Sequence, residues 1–146
     1  MAAALIVNPS ASRVTPELTL AVEKELAVAG PVETILTERP LHAVDLVAEA
    51  SRGFDRIFVY SGDGGFNEAV NGLEDDIPMG FIPGGSTSVF PRALGLPRDP
   101  VECARALARA KSTRISLGRV NGRRFTFSAG LGLDAERTIS SSHGCC

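Results

Sequence analysis

The stretch Ile57-Phe58-Val59-Tyr60-Ser61-Gly62-Asp63-Gly64-Gly65-Phe66-Asn67-Glu68-Ala69-Val70-Asn71-Gly72 decides the fold. Four β-prone apolar residues, Ile57 to Tyr60, run straight into a Ser-Gly-Asp-Gly-Gly turn. Beyond it Phe66, Ala69, Val70 and Leu73 fall at i, i+3, i+4 and i+7, the apolar stripe of a short helix. Strand, glycine turn and helix together point free backbone N–H groups and a helix N-terminus at an anion. Glycines let a phosphate approach the main chain where a Cβ would block it. Asp63 at the tip repels phosphate by itself, so it suits such a site when a divalent cation lies between them. The same residues also suit a plain βα turn with Asp63 as N-cap.

Upstream, Ala3 to Val7 is a continuous apolar strand broken by Asn8-Pro9. Thr15-Pro16-Glu17 is a helix start: an N-cap, a proline in the first position and an acid in the first turn. That helix turns Leu18, Ala21, Val22 and Leu26 to one side and ends at Gly30-Pro31. Val32 to Thr37 is a second strand, and Pro40 opens a helix with Leu41, Val44, Val47 and Ala48 inward. Downstream, Pro78 to Ile82 forms a fourth strand that enters a second glycine turn, Pro83-Gly84-Gly85-Ser86-Thr87-Ser88. A helix follows through Phe90 and Leu94 to Gly95; Pro91 is tolerated only in its first turn, so Thr87 or Ser88 is the expected cap. Asp99-Pro100 starts another helix, with Val101, Ala104, Leu107 and Ala108 inside.

From Arg114 the pattern changes: Ile115–Val120 and Arg124–Ala129 flank Asn121-Gly122, a strong hairpin signal. Alternating βα units predict a three-layer α/β fold, an open and mostly parallel sheet with helices on both faces. The expected organisation is a nucleotide-binding α/β domain over 1–112, the start of an incomplete β-rich domain over 113–139, and a disordered tail over 140–146. In such a sheet ligands bind at the carboxyl ends of the strands. Four loops converge there: Asn8-Pro9-Ser10-Ala11-Ser12, Thr37, residues 61–65 and residues 83–87.

Composition bounds the rest. With 146 residues, 44% hydrophobic and 22% charged, the chain has the make-up of one soluble globular domain. A net charge of -2, without basic runs, excludes nucleic acid as an electrostatic partner. Met1 to Asn8 is apolar but lacks the basic start of a signal peptide, and no run is long enough to cross a bilayer, so membrane contact is expected to be peripheral. Cys103, Cys145 and Cys146 form neither a disulfide framework nor a zinc spacing, which points to a reducing, cytoplasmic setting. His42 reads as a surface or capping residue, and Arg105, Arg109, Lys111 and Arg114 as a wet helix side. The Walker pattern is excluded because Lys24 and Lys111, the only lysines, lie away from both turns. The dinucleotide fingerprint is excluded because Gly62-Asp63-Gly64 is followed by Gly65, Phe66 and Asn67.

Ser61 to Gly72 resembles the Gly-Gly-Asp-Gly-Thr-x-Asn-Glu-x-x-Asn-Gly signature of the diacylglycerol kinase catalytic-domain family, which includes sphingoid-base and ceramide kinases. Ile82 to Pro97 is similar to that family's Pro-x-Gly-Thr-x-Asn-x-Phe-Ala-Arg segment, and Val7-Asn8-Pro9 to its opening strand. Val120 to Phe125 and Ala129 to Ala135 resemble the entry into its second domain. The resemblance implies a lipid kinase that uses ATP and Mg²⁺ to phosphorylate a lipid alcohol, diacylglycerol first and a sphingoid base second. It places Asn8, Pro9, Ser10, Ala11, Ser12, Thr37, Ser61, Gly62, Asp63, Gly64, Gly65, Phe66, Asn67, Glu68, Gly84, Gly85, Ser86 and Thr87 around the nucleotide, with Asp63 near the metal and Glu68 and Asn71 bracing the loop. Gly65, Ser86, Ser88 and Pro91 depart from the family's Thr, Thr, Asn and Ala. Family members are longer, and their general base is a carboxylate of the second domain; Asp134 and Glu136 do not match it by position. The expected role is the nucleotide-binding half of a kinase. The alternatives are a degenerate or nucleotide-binding fragment without catalysis, and a soluble-substrate enzyme of the NAD kinase type. Pairing into a homodimer is left open.

Overall fold

A computed structural model describes residues 1–74 and 76–126 of the chain. Four strands, β1 (Ala3–Val7), β2 (Val32–Leu36), β3 (Arg56–Ser61) and β4 (Met79–Pro83), form one sheet in the order β2-β1-β3-β4. Every pairing in it is parallel, with Ala4 opposite both Glu33 and Ile57 and Val59 opposite both Ile6 and Phe81. The helices are α1 (Pro16–Leu26, extended by a 3-10 turn to Ala29), α2 (His42–Gly53), α3 (Asp63–Asn71), α4 (Val89–Ala93) and α5 (Pro100–Arg109).

Strand alternation splits the core in two. Ala4, Ile6, Ile57, Val59 and Phe81 face one side, where Val47 and Ala50 of α2, Phe66, Ala69 and Val70 of α3 and Phe90 of α4 cover them. Leu5, Val7, Phe58, Tyr60 and Ile82 face the other, under Val22 and Leu26 of α1 and Cys103 and Ala104 of α5. Two apolar faces on one sheet account for the near-continuous hydrophobic runs of β1 and β3. With few aromatics available, Phe66, Phe81 and Phe90 are spent together: Phe81 meets the other two edge to face at 5.4 and 4.7 Å. Arg105 of α5 grips Glu25 of α1 through Nε and Nη2, at 3.1 and 2.8 Å, and so holds the Glu25 carboxyl below its usual range.

The α/β expectation holds, and its differences from the structure are local. The Thr15 and Asp99 caps form as read: Thr15 Oγ1 accepts from Leu18 N, and Asp99 Oδ1 accepts from Val101 N and Glu102 N. Helix α2 begins at His42, two residues after Pro40, and Leu41 takes a left-handed φ of 61°. Neither Pro40 nor Leu41 has a side chain that accepts a hydrogen bond; His42 Nδ1 instead accepts from Glu38 N at 3.0 Å. Helix α4 stops at Ala93, short of the expected Gly95. Asn121 and Gly122, with φ of 49° and 79°, turn a hairpin between β5 (Gly118–Val120) and β6 (Arg123–Phe125), shorter than the strands read from the sequence. The remainder of the expected β-rich unit, Ala129 to Ala135, Asp134, Glu136 and the 140–146 tail lie outside the described residues.

Candidate functional site

Topology locates the site. Leaving β1 the chain moves outward to β2 by way of α1; leaving β3 it moves the opposite way to β4 by way of α3. Right-handed crossovers put those helices on opposite faces, so a crevice opens between the carboxyl ends of β1 and β3. A cleft of about 680 Å³ occupies that position. Asn8, Pro9 and Ser10 after β1, Thr37 after β2, and Ser61, Gly64, Gly65 and Glu68 around the start of α3 all line it. Eight of the residues picked from the sequence are thereby brought to one cavity.

The loops are tied to one another by main-chain bonds. Asn8 N donates to Tyr60 O, Thr37 N to Val7 O, Gly84 N to Ser61 O and Arg13 N to Gly84 O, at 2.8–3.0 Å. Tyr60 Oη donates to Arg13 O. Ser10 N donates to Asn8 Oδ1 at 3.0 Å, an Asx turn that fixes the first loop. The two glycine turns meet backbone to backbone: a Cβ on Gly85 would stand 2.9 Å from Gly62 Cα. Only a residue without a side chain allows that approach.

Asp63 is the hinge between the turns. Its Oδ2 accepts from Thr87 Oγ1 and Val89 N, both at 3.0 Å, and its Oδ1 accepts from Phe90 N at 3.2 Å. The cap of α4 therefore comes from another loop and from neither expected residue: Thr87 donates its hydroxyl to Asp63, while Ser88 takes a φ of 47° and donates its own to Gly85 O. Ser86 and Thr87 open onto a neighbouring cavity of about 320 Å³, which Arg13, Arg92 and Arg98 also line.

Other expected residues point elsewhere. Phe66 is fully buried against Phe81, so its ring supports the turn from below. Asn67 Oδ1 accepts from both the N–H and the hydroxyl of Thr126. Asn71 Oδ1 accepts from Arg124 N, and its Nδ2 donates to Arg124 O and Asn67 O. Arg124 Nη1 completes the clamp on the carbonyls of Val70 and Leu73. The asparagines of the signature thus fasten β6 to α3. Sequence reasoning missed Glu38 and Arg39, which line the cleft beside Thr37, and Arg13. Their place just past the strand ends was the available signal.

The donor set fits a nucleotide phosphate with its cation. Hydroxyls, an amide and the α3 N-terminus face the cleft, but its charged lining, Glu38, Arg39 and Glu68, carries more acid than base. Such a lining opposes a bare triphosphate more strongly than one whose charge a divalent cation partly neutralises. No cluster of three or more metal-binding side chains occurs among the described residues.

Comparison with known proteins gives the family. Residues 2–120 match the diacylglycerol kinase catalytic domain. The chain belongs to this family. It is 43% identical over 93 residues to a diacylglycerol kinase of Bacillus subtilis, covering 61% of this chain and 31% of that protein. It is 30% identical over 136 residues to a diacylglycerol kinase of Staphylococcus saprophyticus, covering 84% and 42%. Among solved structures, a putative diacylglycerol kinase from Bacillus anthracis superposes with a TM-score of 0.79 at 29% identity, covering 84% of this chain and 47% of that one. The chain therefore spans less than half the length of these relatives. No described helix is long and apolar enough to cross a membrane.

Proposed function

We propose that this chain is the nucleotide-binding half of an ATP-dependent lipid kinase, with a lipid alcohol such as diacylglycerol as acceptor. The observation that carries the reading is the cleft at the β1/β3 switch point, lined by three strand-end loops and the N-terminus of α3. The Gly64 and Gly65 N–H groups, in the first turn of α3, have no intrahelical acceptor and would meet phosphate oxygens with the helix dipole behind them. Asn8, Ser10 and Thr37 would bond the nucleotide from the opposite wall, and Glu68 would face the metal. Asp63, which lies outside the cleft lining with both oxygens bonded to the second glycine turn, would reach the metal only by sharing them. Bound Mg²⁺ supplies charge neutralisation on the phosphates. The residues of this chain bind and orient the nucleotide and keep the loops in register.

Coverage of less than half of the relatives favours a second reading for the isolated chain: nucleotide binding without turnover. Calorimetric titration with Mg-ATP, and with ATP in EDTA, tests binding; binding that depends on magnesium is expected. An acceptor panel of diacylglycerol, a sphingoid base and NAD, run on the chain and on a longer polypeptide containing it, tests the chemistry. Phosphorylation of NAD alone would move the assignment to the soluble-substrate branch, and absence of Mg-ATP binding would end the nucleotide reading.

A further inference from the structure

Ser61 closes β3 and is only 2% exposed, yet it is one of the residues that line the cleft. Its Oγ is the one buried side-chain polar atom among the described residues that has no hydrogen-bond partner. A buried hydroxyl in that state has an open hydrogen-bond valence that a ligand or a bound water fills. Gly65 lies one helical turn further on, and a Cβ there would stand 2.0 Å from Ser61 Oγ and 2.8 Å from Ser61 Cβ. Rotating the serine moves Oγ away, but its Cβ is fixed by the backbone, so the second clash persists. A side chain fits at 61 or at 65, and not at both. The signature that this segment resembles carries Gly at the first position and Thr at the second; here the order is Ser61 and Gly65.

We propose that the hydroxyl has been transposed. Ser61, from the end of β3, delivers to the cleft the hydrogen bond that the signature's threonine would deliver from α3, and its ligand is a phosphate oxygen of the bound nucleotide. Gly65 is glycine because Ser61 occupies its side-chain space. Ser61 thereby becomes the hydroxyl donor of the first glycine turn. The inference rests on the nucleotide reading above, but its steric half stands without it.

The test uses the 146-residue chain and the variants S61A, G65T and S61G/G65T. Mg-ATP affinity is measured by calorimetry, with magnesium tripolyphosphate as a probe for the phosphates alone, and thermal unfolding is followed without ligand. S61A keeps the Cβ and removes the orphaned hydroxyl. Expected are a melting temperature no lower than wild type and an affinity for both probes weaker by on the order of 10- to 100-fold, the range for a hydrogen bond to a charged partner. A residue with a merely structural role would lose stability and leave affinity unchanged. G65T is expected to be destabilised or unfolded, and S61G/G65T to regain both folding and affinity. If wild type binds Mg-ATP and S61A binds it equally well, the transposition is wrong and the nucleotide reading survives. If wild type binds neither probe, the nucleotide reading fails and takes the ligand assignment with it. G65T melting with wild type would refute the steric exclusion in either case.

Discussion

Replacing Asp63 by alanine tests whether one carboxylate both serves the ligand and joins the two glycine turns. The structure fixes what is lost: two main-chain bonds that cap α4 and the Thr87 hydroxyl bond. Loss of an N-cap costs about 1 kcal/mol. A hydroxyl bond to a charged acceptor adds about 1.5 kcal/mol, taken at the low end because Asp63 is half-buried. The total, about 2.5 kcal/mol, lowers the melting temperature of a domain this size by roughly 10 °C. Asp63→Asn keeps one acceptor oxygen and is expected to lose about half as much. Thermal unfolding by circular dichroism without nucleotide is the assay, with Thr87→Val and the double variant to close a cycle. The two single losses should sum to more than the double variant loses, because they share a bond. An Asp63→Ala variant that melts within about 1 °C of wild type while failing to bind Mg-ATP would refute the reasoning. The carboxylate would then be a ligand group alone.

Gly85→Ala drives a Cβ to 2.9 Å from Gly62 Cα, and neither backbone can swing aside. It is expected to lose about 1–3 kcal/mol in urea unfolding, and an unchanged midpoint contradicts the close approach. Asn67→Ala and Asn71→Ala unhook β6, so amide exchange at Arg124 and Thr126 should quicken while α1 and α5 keep their protection; equal exchange throughout argues against the clamp. Burial pushes the Cys103 thiol up from 9.0 to about 12. Between those values the unfolded chain ionises at Cys103 and the folded chain does not, so stability falls as pH rises from 9 towards 12. Cys103→Ala should flatten that decline, and in a Cys145→Ser/Cys146→Ser background the native chain should resist alkylation at pH 8; rapid labelling would contradict the burial.

The fold was legible because its signals are local. β1 is a run of five apolar residues ended by Asn8-Pro9, and the Thr15 and Asp99 caps act within three residues of themselves. The cleft was legible for a related reason: parallel order carries every strand end to one edge, so Asn8, Thr37 and Ser61 could be grouped before any contact was known. What stayed hidden is non-local. Nothing near Ser88 announces that its helix is capped from Asp63, 26 and 27 residues upstream of the amides it receives. Nor does the spacing of Asn67 and Asn71 reveal partners 59 and 53 residues downstream. The Ser61–Gly65 exclusion is a matter of ångströms, visible only once both backbones are placed.

Helix α3 explains why so many of its nine residues are particular. At about 100° per residue, its positions fall into three sectors around the axis. Phe66, Ala69 and Val70 fill the sector against the sheet. Gly64, Gly65 and Glu68 fill the sector towards the cleft. Asp63, Asn67 and Asn71, spaced by four, form a row along the third, gripping α4, Thr126 and Arg124 in turn. A short helix with a core sector, a ligand sector and a docking sector has no free surface left. Substitutions along it should therefore sort by sector: core changes unfold the chain, changes at Gly64 and Glu68 weaken ligand binding at constant stability, and changes at Asn67 and Asn71 loosen β6 alone. Gly65, whose side-chain space Ser61 fills, and Asp63, at the head of the docking row, are the two exceptions. A cleft-sector change that released β6 and left nucleotide affinity intact would break that division, and with it the argument that α3 separates binding from docking by helical phase.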